Sequence, residues 1–461
     1  MGSKAGKILK TITFCILLFG VIAGVSRLVE RKESREKMQP FLSRAEEYDV
    51  LFLGDSIMNT GVFPMEIWEK YGIAGYNIAS YGNTLPITYW ALQNALDYAK
   101  PKLVVLDVQG VSKSYKLSGN SSDVHTAFDC YPITKTKVEA LDDLMDDPDA
   151  VDDDGVAYAD MKWEYLFTLG KYHARWSELT DADFHPVYNK EKGAKSVVAV
   201  ADIGDYDLID ENMATEESGQ TGFIYLRKII EDCQARGIEV LLVHLPYPAN
   251  EQQQMDANAV YAVAEDYGVD YIDFVSMDQV ADYATDCFDA HEHLNPSGAR
   301  KVSDYLGRYI AVHSDIADHR GEAAYAAWVD DAAAYRQKKL ADFESQSDLA
   351  SALMLLHDDD FACAVTIGAG SDVFESDKLM NLMQNIAREH VFEEDLFAKW
   401  SNSLFPLERL EEAAQSGRSY AVTINRAAGE IAETVGADVP EGVQIKLTDS
   451  VSGETLCQKR F

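Results

Sequence analysis

The chain predicts a three-layer α/β fold built on a parallel sheet, preceded by an N-terminal transmembrane helix and followed by a smaller C-terminal α+β domain. Three observations carry that expectation: short apolar runs that stop at small residues, helical periodicities between them, and a change of rhythm after about residue 346. Val50 to Leu53 is the first such run and reads as a buried strand. Met65 to Tyr71 reads as a short helix, Gly75 to Ile78 as a strand, Pro86 to Tyr98 as a helix and Leu103 to Val108 as a strong strand. Past an irregular insertion, Thr221 to Arg236 is an amphipathic helix, Glu239 to Leu245 a strand and Ala257 to Tyr267 a helix. Tyr271 to Phe274 then reads as a strand and Ser297 to Val312 as a helix. Strands separated by helices imply a parallel sheet covered on both faces.

The domain organisation follows. Residues 1–44 form an anchor and stalk, 45–315 the α/β domain with an insertion at about 111–218, 316–346 a connecting helix, and 347–461 the small α+β domain. In the last, Phe361 to Ile367, Ser419 to Asn425, Gly429 to Glu433, Val443 to Thr448 and Thr455 to Phe461 read as strands. Leu349 to Leu356 and Lys378 to Glu389 are helical, and the turn Asp449 to Gly453 suits antiparallel pairing. The insertion carries an acidic run from Asp142 to Gly155. With Gly155 at the glycine position of a calcium-binding loop, Ala150 and Met161 fall on ligand positions, so the run reads as a solvated loop.

A formal net charge of −36 argues against a nucleic-acid partner, since a phosphate backbone needs Lys and Arg opposite it. Basic residues gather instead around the apolar stretch Thr11 to Ser26: Lys4, Lys7 and Lys10 precede it, and Arg27, Arg31, Lys32, Arg35 and Lys37 follow. The stretch is a membrane signal, and the poor cleavage context at Ala23-Gly24-Val25 favours an uncleaved anchor over a signal peptide. By charge alone the body could face the cytoplasm. The six cysteines, Cys15, Cys130, Cys233, Cys287, Cys363 and Cys457, have neither metal-ligand spacing nor the density of a disulfide scaffold. No metal and no cofactor is expected.

Gly54-Asp55-Ser56 directly follows the first strand, which places Ser56 at the carboxyl edge of the sheet. A serine there can serve as a nucleophile with backbone N–H groups beside it. A serine hydroxyl needs a base to take its proton and a carboxylate to orient that base. The segment Asp286 to Ala299, after the last predicted strand, offers both.

At these residues the chain resembles the SGNH, or GDSL-like, hydrolase family over roughly Ala45 to His313. Gly54-Asp55-Ser56 matches the family's first block, and His293-Leu294-Asn295-Pro296-Ser297-Gly298-Ala299 its last. Gly82, in Tyr76 to Asn83, fits the second block, a glycine whose amide joins the oxyanion hole. The resemblance implies an SGNH-like, flavodoxin-like sheet, Ser56 as nucleophile and His293 as base. The chain departs from the pattern twice. Ala290 stands where the family acid belongs, leaving Asp289, or Asp286, to orient His293. The asparagine block after Leu103 to Val108 is absent, so Asn83 is the expected side-chain oxyanion donor, with Gln109 and Asn59 behind it.

Other histidines have plainer readings: His291 as a surface neighbour, His125 and His173 as structural, and His244 as the one nearest substrate. Tyr172-His173-Ala174-Arg175-Trp176 is an aromatic and basic cluster, read as packing for the insertion or as a partner or glycan surface. Taken together, the resemblance implies a membrane-tethered, extracytoplasmic serine esterase or O-acyltransferase. Its substrates would be acyl esters, O-acetyl above all, of cell-envelope polysaccharide or a small acyl ester, and its partner a membrane-bound O-acyltransferase. The alternative is a catalytically lapsed binding or assembly protein of the same fold; a cytoplasmic-facing esterase is the third.

Overall fold

The structure, a computed structural model, describes residues 2–201, 208–210, 212–216, 220–277, 280–289, 293–392, 398–401, 407–439 and 441–461. Five parallel strands make the first sheet: β1 (Val50–Leu53), β2 (Gly75–Asn77), β3 (Leu103–Asp107), β4 (Glu239–His244) and β5 (Asp270–Asp273). Their spatial order is β2-β1-β3-β4-β5, so the winding reverses between β1 and β3. A doubly wound sheet opens a crevice at the carboxyl ends of its strands at that reversal. Val50 stands level with Gly75 on one side and Leu103 on the other, which brings the ends of β1 and β3 together.

Alternation along the strands divides the core in two. Leu51, Leu53, Val104, Leu106, Val240 and Leu242 face one side with Leu92, Leu226, Ile229 and Val260 from helices Leu85–Leu96, Thr221–Ala235 and Glu251–Tyr267. Val50, Phe52, Leu103, Val105, Leu241 and Val243 face the other, under Ile67 of helix Pro64–Tyr71 and Val302, Leu306 and Ile310 of helix Pro296–His313. Burial on both faces explains why the strands are uninterrupted apolar runs.

The second sheet is antiparallel. It comprises β6 (Phe361–Ile367), β9 (Tyr420–Asn425), β10 (Glu430–Val435), β11 (Val443–Asp449) and β12 (Thr455–Arg460), in the order β10-β9-β6-β11-β12. A separate antiparallel pair joins β7 (Glu389–Phe392) to β8 (Ala398–Ser401). Val365, Ile367, Val422 and Ile445 pack against Leu353, Leu382 and Ile386 from helices Leu349–Leu355 and Asp377–Ala387. The β7–β8 pair and helix Leu407–Ser416, which adds Leu410 and Ala413 to that core, were not evident from sequence.

Helix Gly2–Val29 contains one stretch, Gly6–Val29, with mean hydropathy 2.3, long and apolar enough to cross a membrane. The following helix, Lys32–Ser43, is not a free stalk. Phe41 stacks on Tyr48 at a ring-centroid distance of 5.6 Å and meets Tyr76 at a tilt at 5.3 Å, and Ser34 Oγ donates to the Thr126 carbonyl at 2.7 Å. The insertion folds into short helices with a core of its own, including Val124, Phe128, Leu141, Leu144, Tyr158 and Tyr165. Part of the acidic run is internal to it: Asp143 accepts from Trp90 Nε1 at 2.6 Å and Lys116 Nζ at 2.9 Å, and Asp152 accepts from the Asp154 and Val156 amides.

Candidate active site

Ser56 opens the short helix Ser56–Gly61, one turn of chain beyond β1. Gly54, between them, has φ +155°, and a Cβ there would lie 2.9 Å from both Asp107 Cβ and Met58 Cβ. Only glycine lets the chain turn this tightly against the end of β3. Asp55 caps the helix, its Oδ1 accepting from the Ile57 amide at 2.9 Å. With its amide oriented to satisfy both groups, Gln109 donates to the Asp55 carboxylate at 2.9 and 3.1 Å. Ser56 is left half-buried with its hydroxyl at the crevice.

A narrow hairpin brings the imidazole to it. Cys287 bridges Leu294, the Asn295 amide donates to the Asp286 carbonyl at 2.8 Å, and the Phe288 amide to the His293 carbonyl at 3.0 Å. Asp289 and His293 lie at the end of these paired residues. His293 Nε2 lies 2.9 Å from Ser56 Oγ, and His293 Nδ1 lies 2.7 Å from Asp289 Oδ2. Asp289 Oδ1 also accepts from the His293 amide at 3.2 Å, so the carboxylate reaches back across the hairpin from four residues away. An ionised carboxylate only accepts, which puts the imidazole proton on Nδ1 and leaves Nε2 to accept from the serine. The Phe288 ring stacks on His293 at 5.2 Å. Asn295 ties the hairpin to the next helix: its Oδ1 accepts from the Ser297 and Gly298 amides, and its Nδ2 donates to the Thr285 and Cys287 carbonyls.

Asp286, the other acid considered, is turned away from the imidazole. It is fully buried and accepts from Lys301 Nζ at 2.5 Å, from the Asp282 amide at 2.7 Å and from Asn385 Nδ2 at 3.3 Å. Asn385 belongs to helix Asp377–Ala387 of the antiparallel half, and its Oδ1 accepts from Lys301 at 2.9 Å. Arg388 adds an ion pair to Asp282 at 2.7 Å. The C-terminal half therefore grips the base of the hairpin that holds Asp289 and His293.

Gly82 lies in the loop after β2 with φ +63°, where a Cβ would lie 2.3 Å from Asp123 Oδ2. Neither the Gly82 amide nor the Ser56 amide has a hydrogen-bond partner among the described residues. Asn83 is buried, and its Nδ2 donates to the Gly54 carbonyl at 3.2 Å, which fastens this loop to the serine turn. That bond uses one of the two N–H groups of the Asn83 amide, so the side chain serves the scaffold and keeps a second N–H for the role expected of it. Asn59 Oδ1 accepts from Lys37 Nζ at 2.6 Å, and the same ammonium donates to the Ala79 carbonyl. Burial pushes Lys37 down to about 7.

Beneath Gly54, Asp107 is buried with Oδ2 unpartnered. Burial first, and then the neighbouring Asp55, push its carboxyl well above the usual carboxylate range. His244, at the end of β4, is also buried: its Nδ1 lies 2.9 Å from Asp273 and its Nε2 3.2 Å from Tyr247 Oη, so both nitrogens serve the scaffold. His125 pairs with Asp129 in the insertion core, and His173 Nδ1 meets the Gly170 carbonyl. His291 lies outside the described residues.

Lys37, Asp107, Lys301 and Asn385 were not singled out from sequence. Lys37 stands in a charged run that looks solvated, and nothing local marks its burial.

No protein-family model matches the chain, and no curated protein matches it by sequence. Among solved structures, the chain is similar to a Bacteroides fragilis protein titled a "putative acylhydrolase", with 12% identity and a TM-score of 0.29. The similarity covers 60% of this chain and 96% of that one.

Proposed function

We propose that the chain is a membrane-tethered serine esterase or O-acyltransferase. The observation that carries this is the hydrogen-bonded line Ser56, His293, Asp289 at the switch point of a parallel sheet. In the proposed reaction Ser56 Oγ attacks an ester carbonyl while His293 Nε2 takes its proton. Asp289 holds the imidazole and stabilises the imidazolium. The Ser56 and Gly82 amides receive the oxyanion, and His293 returns the proton to the leaving alcohol. Water or a sugar hydroxyl then takes the acyl group from Ser56.

The SGNH-like motifs support a carbohydrate acyl ester, O-acetyl above all, as substrate, and the apolar N-terminal helix supports a single-pass anchor. We place the body on the extracytoplasmic side, beside a membrane-bound O-acyltransferase that would supply acyl groups. The missing asparagine block after β3 favours the lapsed alternative: Asn83 already gives one of its two N–H groups to the Gly54 carbonyl, and a lost oxyanion donor costs about 3 kcal/mol of transition-state stabilisation. A fluorophosphonate probe separates the two. Labelling of the wild type that disappears in Ser56→Ala supports the enzyme; absent labelling together with absent aryl acetate hydrolysis would sink it.

A further inference from the structure

The insertion meets the N-terminal helix where that helix leaves its apolar stretch. Ser26 Oγ and Thr168 Oγ1 lie 3.0 Å apart, Arg175 Nη1 donates to the Val29 carbonyl at 2.7 Å, and Lys32 pairs with Asp183 at 3.5 Å. Thr168, Arg175 and Asp183 come from three consecutive short segments, Thr168–Tyr172, His173–Ser177 and Asp181–Phe184. These segments and the preceding helix Tyr158–Leu166 leave large rings in the open: Trp163 is 68% exposed, Phe167 57%, Trp176 72% and Phe184 57%. Trp163 and Phe167 stack on each other at 5.9 Å, both mostly exposed among the described residues. Four exposed aromatic rings on about two dozen residues are out of keeping with a surface that faces only water.

Their place along the anchor says what covers them. Tryptophan and other amphipathic rings concentrate at the level of the lipid headgroups, where one end is apolar and the other wet. The contacts fall at Ser26 and Val29, the last turn of the Gly6–Val29 stretch, which is the depth at which a spanning helix crosses that layer. Arg27 in that turn and Arg31 and Arg35 just beyond it add positive charge in an acidic chain, suited to anionic headgroups.

We propose that the Trp163, Phe167, Trp176 and Phe184 face of the insertion lies in the headgroup layer of the same phospholipid bilayer that holds helix Gly2–Val29. The proposal rests on the anchor being embedded in a membrane. Its consequence is that the body is held at the bilayer by two attachments, a spanning helix and an aromatic foot, so it does not swing on a tether.

The test uses the full chain reconstituted in phosphatidylcholine and phosphatidylglycerol vesicles in which some lipids carry bromine, either near the glycerol end of the acyl chain or near its tip. Trp163 and Trp176 are two of six tryptophans, so wild type and a Trp163→Phe/Trp176→Phe variant are compared by emission. Greater quenching by the shallow bromine in wild type, lost in the variant, is the expected result. Equal shallow quenching in both proteins would overturn the proposal and leave a protein as the occupant of the face. Alkaline carbonate extraction judges the anchor separately. Release of the chain would overturn the anchor and the foot together, whereas retention without shallow quenching would overturn the foot alone.

Discussion

Ser56 and His293 are separated by 237 positions and meet at 2.9 Å, so the arrangement depends on a few residues that fix each partner. The two candidate acids have opposite duties. Asp289→Asn leaves the hairpin in place but removes the acceptor that selects the imidazole tautomer, and kcat is expected to fall about 10³- to 10⁴-fold with little change in stability. Asp286→Asn is expected to do the reverse. Lys301, which burial already lowers to about 8, would lose its ionic partner, at a cost of about 3–5 kcal/mol read by urea denaturation. If the Asp286 variant kept full stability while losing activity, the assignment of the two acids would be wrong. Gly54→Ala puts a Cβ against Asp107 in a backbone conformation that favours glycine, and is expected to cost at least about 1–3 kcal/mol together with probe labelling at Ser56.

Among elements, helix Lys32–Ser43 is the one whose role changed most between sequence and structure. Its Lys37 reaches Asn59 and the Ala79 carbonyl, and so joins the serine helix to the loop that carries Gly82. The pKa of Lys37 falls from 10.5 in the unfolded chain to about 7 in the fold, so between those values the unfolded chain binds the additional proton. Stability from this group therefore rises with pH across that window. Wild type is expected to gain stability relative to Lys37→Met as pH rises from about 7 to about 10. Denaturation midpoints that keep a constant separation over the range would show that Lys37 stays charged in the fold. Helix Asp377–Ala387 has a comparable part on the other side. Asn385→Ala removes the donor to Asp286, Thr285 and Ser297, and is expected to slow probe labelling of Ser56 while Asp289 still faces His293.

At the scale of the molecule, the two sheets are joined through buried charge. Arg300 sits between Glu66 at 3.2 Å and Asp358 at 3.0 Å, and Lys339 reaches Asp358 at 3.2 Å, while Tyr335 Oη donates to Glu66 at 2.9 Å. Arg300 and Lys339 hold Asp358 down to about 2 against its burial. Charges desolvated this far are stable only as a set, since removing one partner leaves another uncompensated. Deleting residues 347–461 takes away Asp358 and Asn385 and is expected to leave the parallel half poorly folded. In calorimetry the intact body is expected to unfold in one transition; two well-separated transitions would show that the halves do not depend on each other.

Local chemistry was enough for the strands of both sheets: β1, β3, β4 and β6 are short apolar runs that need no distant information, and the more polar β10 and β12 are marked by the turn residues beside them, Gly429 and Asp449 to Gly453. It also marked Ser56 at the end of β1 and His293 ahead of a capped helix, since a small-residue turn and an Asn-Pro helix start leave a signature within a few positions. What sequence left open depends on contacts between distant segments. Which of Asp286 and Asp289 faces the imidazole follows from hairpin register and from Lys301 and Asn385 claiming Asp286. That Asn83 fastens a loop follows from the approach of that loop to Gly54. A charged run such as Glu30 to Glu47 reads the same whether water or a buried carbonyl receives its lysine, and only the packing of that helix on the sheet decides between them.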